Sequence, residues 1–141
     1  LKVVDSVAAA IGPGKTAIRI APFHILQQTL DSDRIATFAK YTAELERRHL
    51  AYVHMVEPRY DQLSTEGAFS GNLDRVTGAW LDCTVPAAKG KVRQPKPEEI
   101  YSLWNFRKIL KETPLIGAGG YDAMGAREAI SEGGMHQVTL E

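Results

Sequence analysis

The stretch Ala17-Ile18-Arg19-Ile20-Ala21-Pro22-Phe23 decides the fold class. Successive side chains of an extended strand point to opposite faces, so Ile18 and Ile20 face one way and Ala17, Arg19 and Ala21 the other. A strand is read from Thr16 to Ala21. Before it, Val3, Val4, Val7, Ala8 and Ile11 fall at i, i+4 and i+8, which predicts a helix over Leu1 to Ile11 with one apolar face. Gly12, Pro13 and Gly14 end that helix, because glycine accepts the left-handed position and proline cannot continue the ladder.

The same alternation of helix and strand continues downstream. Pro22 to Leu30 reads as a loop, and Asp31, Ser32 and Asp33 sit where a helix cap is wanted. Ile35, Phe38, Ala39, Thr42 and Leu45 follow at helical spacing, and Arg47, Arg48 and His49 suit the negative end of the helix dipole. Ala51 to Glu57 is a second strand, closed by Pro58. Residues 59–97 show no period, contain several glycines and prolines, and read as one long loop, functional or mobile. Pro97, with Glu98 and Glu99 in the first turn, predicts a helix whose apolar face is Ile100, Leu103, Trp104 and Leu110. Pro114 to Ala118 is a third strand, Asp122 caps a helix running through Ile130, and Met135 to Glu141 is a candidate fourth strand. Strands alternating with helices predict an α/β fold with a parallel sheet. The apolar residues on both faces of the first two strands lead us to expect a sheet covered on both sides.

The composition fits a globular domain, 44% hydrophobic and 24% charged. Lys+Arg and Asp+Glu each number 17, so the formal net charge is zero and no global field points to nucleic acid or a membrane surface. A single cysteine, Cys83, can form neither an internal disulfide nor a cysteine-rich metal site. A reducing, cytoplasmic location is therefore expected. The chain starts at Leu1 rather than Met, which leads us to expect a processed or incomplete chain.

Few residues carry chemistry. Gly12-Pro13-Gly14-Lys15-Thr16 has Ala9 where a phosphate loop needs glycine, and it joins helix to strand rather than strand to helix. Gly117-Ala118-Gly119-Gly120 has the correct polarity, so it reads either as a phosphate cradle or as a tight turn. Arg19 stays ionised and needs a counter-charge if enclosed. An anionic ligand in a barrel mouth would supply one, and so would an internal salt bridge, for instance to Glu57. His54 is read as a hydrogen-bonded strand residue, and Glu57 as orienting a neighbour or pairing with Arg59. Tyr60, Phe69 and Trp80 either cover a ligand or pack their own loop. Cys83 has no nearby histidine to activate it, and the basic run Lys89 to Lys96 reads as a solvated loop.

Taken in order, Ala17 to Phe23, Tyr52-Val53-His54-Met55-Val56-Glu57-Pro58-Arg59 and Leu115-Ile116-Gly117-Ala118-Gly119-Gly120-Tyr121-Asp122 resemble the fifth, sixth and seventh barrel strands of the old yellow enzyme family. The resemblance runs from Leu1 to about Gly134. It implies part of a TIM (β/α)8 barrel, strands five to seven or eight, forming one C-terminal portion over residues 1–141. It implies FMN as cofactor and NAD(P)H as reductant, with hydride passed to an activated alkene, often an enone. By the same resemblance, Arg19 contacts the flavin ring, Gly119 and Gly120 hold its phosphate, and Tyr121 lies beside it. Leu26 stands near a position where the family places an aromatic, so Leu26 and Tyr60 are expected to line the substrate pocket.

The family's first four strands carry its His/Asn or His/His pair and its proton-donating tyrosine, and none of these maps onto His24, His49, His54 or His136. Nor does the stretch Met135 to Glu141 show the Gly-Arg pair that closes the family's last strand. The resemblance thus leaves three outcomes open for this chain. It is the FMN-binding portion of an oxidoreductase, or a non-catalytic half-barrel that depends on a partner, or part of a flavin-assisted isomerase. The expected partners are a small-molecule substrate and either a further copy of the chain or the missing half of the barrel.

Overall fold

The computed structural model describes residues 1–23, 31, 33–57, 102–119 and 121–139. Helix α1 spans Lys2–Ile11, strand β1 Ala17–Ile20, helix α2 Arg34–Glu46 and strand β2 Tyr52–Val56. Helix α3 spans Trp104–Arg107, strand β3 Leu115–Ala118, helix α4 Ala123–Ser131 and strand β4 Gln137–Val138. The four strands form one parallel sheet in the order β1-β2-β3-β4. Parallel neighbours need a crossover between them, and α2, α3 and α4 lie on those three connections.

Local chemistry explains the boundaries. Gly12 ends α1 at φ +92°, and its N–H donates to the Ala8 carbonyl over 2.9 Å. Asp33 caps α2 by accepting from Ala36 N at 3.0 Å, and Asp122 caps α4 by accepting from Gly125 N at 2.7 Å. The Ala51 N–H bonds to both Pro13 O and Thr16 O, which sets the start of β2 beside β1.

The helices cover one face of the sheet. Val53 and Met55 of β2 and Leu115 of β3 meet Leu45, Leu50, Leu103, Phe106, Leu110 and Met135 in one buried cluster, with Ile18 and Ile20 packed against it. Phe23 adds a tilted ring contact with Phe106, centroids 5.7 Å apart. Burial of that many apolar side chains, each worth about 1.5–3 kcal/mol, is the main force holding the layers together.

Three features refine the expectations. The second face of the sheet is only partly covered: Ala17 and Arg19 are exposed and Tyr52 is 39% exposed, whereas Val56 and Ala118, on the same face by alternation, are buried. Four strands cannot curl into a closed barrel, which agrees with the exposure at the β1 side of this face. The apolar face of α1 is likewise mostly bare, because only Val4 is buried while Val3, Val7 and Ile11 are exposed. Finally, β4 is only two residues long, far shorter than Met135 to Glu141. The helix expected from Pro97 is described only from Trp104, and the loop over residues 59–97 lies outside the described residues.

Candidate functional site

The face of the sheet opposite the core is a short grid. Register places Arg19 beside His54, His54 beside Ile116, and Ile116 beside Gln137. Alternation puts Arg19 on the side away from Ile18 and Ile20, which pack on the core. Arg19 is exposed there, on the face that a closed barrel would enclose. His54 is half-buried, with Nε2 3.5 Å from the Thr139 hydroxyl, and that hydroxyl donates to the Gly117 carbonyl at 3.1 Å.

A second group sits where β2 and β3 end. Glu57 follows β2 directly and is 2% exposed. Its backbone N–H donates to Ala118 O at 2.8 Å, which extends the pairing of β2 with β3 by one residue. Oε1 accepts from the Tyr121 hydroxyl at 3.1 Å, and Oε2 accepts from Leu103 N at 3.4 Å. One carboxyl therefore links three segments: the end of β2, the turn after β3, and the chain entering α3.

Gly119 occupies the tightest point of that turn. Its φ is +113°, a conformation L side chains rarely adopt, and an added Cβ would stand 3.1–3.2 Å from the backbone N and O and the Cβ of Glu57. Arg19 and Gly119 share one rim. They lie two strands apart, roughly 10 Å across the sheet, and Gly119 is three residues beyond the row of Arg19, roughly 10 Å further along.

The residues present fit an anionic cofactor. A permanent cation lies exposed on the sheet face opposite the core, and a Cβ-free turn leads into the positive end of α4 at the C-terminal end of the strands. Of the residues singled out from sequence, Arg19 lies near the C-terminal end of β1, and Gly119 and Tyr121 follow the C-terminal end of β3, the end of the strands at which β/α barrels build their sites. Gly120, Leu26 and Tyr60 lie outside the described residues, as do Phe69, Trp80 and Cys83. The bond between Tyr121 and Glu57 was not foreseen. The two residues are 64 positions apart, so no local pattern marks the pair; the one hint was a carboxylate placed at a strand end. Thr139 was missed for the same reason. Among the described residues no cluster of histidine, cysteine, aspartate or glutamate could hold a metal ion.

Known proteins resemble this chain in sequence and in fold. Enoate reductase 1 of Kluyveromyces lactis is 37% identical over 92 residues, covering 57% of this chain and 23% of that protein. Morphinone reductase in complex with tetrahydroNAD superposes with a TM-score of 0.62 at 25% identity, covering 99% of this chain and 28% of that one. The chain resembles the old yellow enzyme family in both sequence and fold. The old yellow enzyme homologue from Zymomonas mobilis gives a TM-score of 0.64 at 25% identity, over 98% of this chain and 30% of that one. The chain spans less than a third of the length of these old yellow enzyme relatives. No protein-family model matches it. Among the described residues no helix is long and apolar enough to cross a membrane.

Proposed function

We propose that this chain is the FMN-binding C-terminal portion of an NAD(P)H-dependent oxidoreductase that reduces activated C=C bonds of enone-type substrates. The observation that carries the reading is the shared rim: Arg19 on the inner face of a parallel β/α sheet, with the Gly119 turn leading into α4 at the same end. The names of its relatives support the reaction class, one being an enoate reductase and another a reductase held with a nicotinamide analogue.

When bound, FMN supplies the ring that accepts hydride from a nicotinamide and delivers it to the alkene. The residues of this chain have simpler tasks. Arg19 would hold a fixed positive charge against the electron-rich edge of the ring, favouring its reduced, anionic form. Gly119 and Gly120 would bring backbone N–H groups close to the phosphate, with the N-terminus of α4 behind them. Glu57 would keep that turn in place through Tyr121. Leu26 and Tyr60 would line the substrate side.

The exposure of Ala17, Arg19 and Tyr52 on the inner face favours a second reading, in which the chain is a partner-dependent or non-catalytic half-barrel that needs further strands before it can act. Titrating FMN into the purified chain separates the two. The flavin reading expects quenching of flavin fluorescence and a rise in melting temperature, both diminished by Arg19→Ala. If FMN neither binds nor stabilises the chain, the half-barrel reading stands for the isolated protein.

A further inference from the structure

We propose that Glu57 and Tyr121 are a pair of positioning residues, which hold the Gly119 turn from its buried side and pass its occupancy by a phosphate group on to the chain entering α3. The inference deepens the flavin reading and rests on it for the identity of the ligand.

Tyr121 is only 2% exposed, and its hydroxyl donates to Glu57 Oε1 at 3.1 Å. A side chain enclosed to that degree has almost no face left for a flavin ring, so its part in the site is exercised through the turn. Glu57 is equally enclosed, and a buried carboxyl is tolerated only where its oxygens are hydrogen-bonded. Those oxygens are divided between two segments: Oε1 takes the Tyr121 hydroxyl, and Oε2 takes the Leu103 N–H at 3.4 Å.

The backbone of Glu57 is also the floor of the turn. Its N–H donates to Ala118 O at 2.8 Å, and a Cβ added at Gly119 would meet the Glu57 N, O and Cβ at 3.1–3.2 Å. Gly119 is therefore pinned on both sides, through Ala118 before it and Tyr121 after it. Asp122 comes next and caps α4 by accepting from Gly125 N at 2.7 Å. One run of contacts thus leads from Leu103 through Glu57 and Tyr121 to the cap of α4, with the turn inside it. A phosphate held by the turn's N–H groups steadies this run, and by reciprocity a loosened run weakens phosphate binding. Riboflavin carries the same ring as FMN without the phosphate. A fault in the pair should be felt by FMN alone, whereas a fault in a ring contact would be felt by both.

Titrating FMN and riboflavin into the 141-residue chain tests this. Tyr121→Phe should lower the affinity for FMN about tenfold or more and leave that for riboflavin unchanged. Glu57→Gln should keep most of the preference for FMN, because its amide oxygen can accept from Leu103 N while the tyrosine hydroxyl turns to accept from its amide nitrogen. Amide exchange gives a second readout: FMN should slow exchange at Leu103 and Gly125 in the parent, and riboflavin should slow neither. That comparison needs no variant, so it decides the matter even if a substitution unfolds the chain. Equal losses for both flavins in Tyr121→Phe would make the tyrosine a ring contact and overturn the inference. So would FMN that slows Gly125 and leaves Leu103 as it was. If neither flavin binds the parent, the flavin reading fails by itself, and the pair is judged without ligand. Tyr121→Phe should then speed exchange at Leu103 and Gly125 together; if either is unmoved, the two segments are not joined through the pair.

Discussion

The Tyr121 hydroxyl donates to Glu57 Oε1 across 3.1 Å, and both residues are only 2% exposed. The bond joins the end of β2 to the start of the segment leading into α4. Gly119 lies between these points with its Cα against the Glu57 backbone, so hydrogen bonding and close packing fix the same turn. That turn is the proposed phosphate site. A carboxyl that never touches the ligand can therefore set the shape of the loop that does.

Tyr121→Phe removes one donor from a buried carboxyl and should cost about 1–3 kcal/mol of stability, read as a lower urea midpoint at unchanged slope. Glu57→Ala should cost more, since it also strands the Leu103 N–H and opens a cavity. The double variant should lose less than the sum of the singles. Strict additivity would mean the bond contributes nothing.

Gly119→Ala and Gly12→Ala form a controlled pair. Both glycines have positive φ, +113° and +92°, so each substitution carries about 1–2 kcal/mol of backbone strain. At Gly12 nothing lies within 4 Å of the added Cβ, whereas at Gly119 it meets the Glu57 backbone at 3.1–3.2 Å. Gly119→Ala should therefore be the more destabilising of the two in urea unfolding. Equal losses would show that the turn can open without cost, which is not what a preformed cradle requires.

Most of the architecture was legible from periodicity and punctuation. The spacing of Val3, Val7 and Ile11 gave α1, the Ile18/Ile20 alternation gave β1, and Asp33 and Asp122 are the caps expected of them. These signals are local, and local rules suffice to read them. The bond from Tyr121 to Glu57 and the contact of Thr139 with His54 bridge 64 and 85 positions, and they exist only once three strands have aligned. The pattern of apolar residues also misled in one respect. It announced a doubly covered sheet, whereas Ala17, Arg19 and Tyr52 are exposed, because a sequence records which surfaces are suited to burial and not whether a partner is present to bury them.

Glu46 shows a second long-range tie. At the end of α2, its Oε1 accepts from Lys111 N and Glu112 N, both at 2.8 Å, and its Oε2 accepts from Thr113 N at 3.1 Å. Burial pushes this carboxyl up, but the backbone donors, Glu112 and Thr113 foremost, outweigh it and hold it below the usual carboxylate range. A depressed folded value stabilises the protein above the unfolded value, near 4.3, and that contribution is lost as pH falls through the lower folded value. Glu46→Ala should cost about 1–2 kcal/mol near neutrality after allowance for solvent screening. The variant and parent should converge in acid. A gap that persists unchanged at low pH would place the cost in packing rather than in the charge.

His136 gives a step at milder pH and of different origin. Its Nδ1 accepts from Leu115 N at 3.0 Å, where the chain comes back to pair with β3, and only an unprotonated ring nitrogen can accept. Burial, and then the positive charge of Arg107, hold this imidazole below its ordinary value. The folded protein thus binds fewer protons at His136 than the unfolded chain, and stability must rise with pH across the window between the two values. Starting from neutral pH, the loss begins near the unfolded value of about 6.5 and is complete below the folded one. Urea midpoints measured from pH 8 down to pH 5 should fall through this window in the parent and fall less in His136→Gln, whose side-chain oxygen can still accept but does not titrate. If both proteins trace the same curve, the histidine is not the group responsible, and the Leu115 N–H bond does not depend on the protonation of its partner.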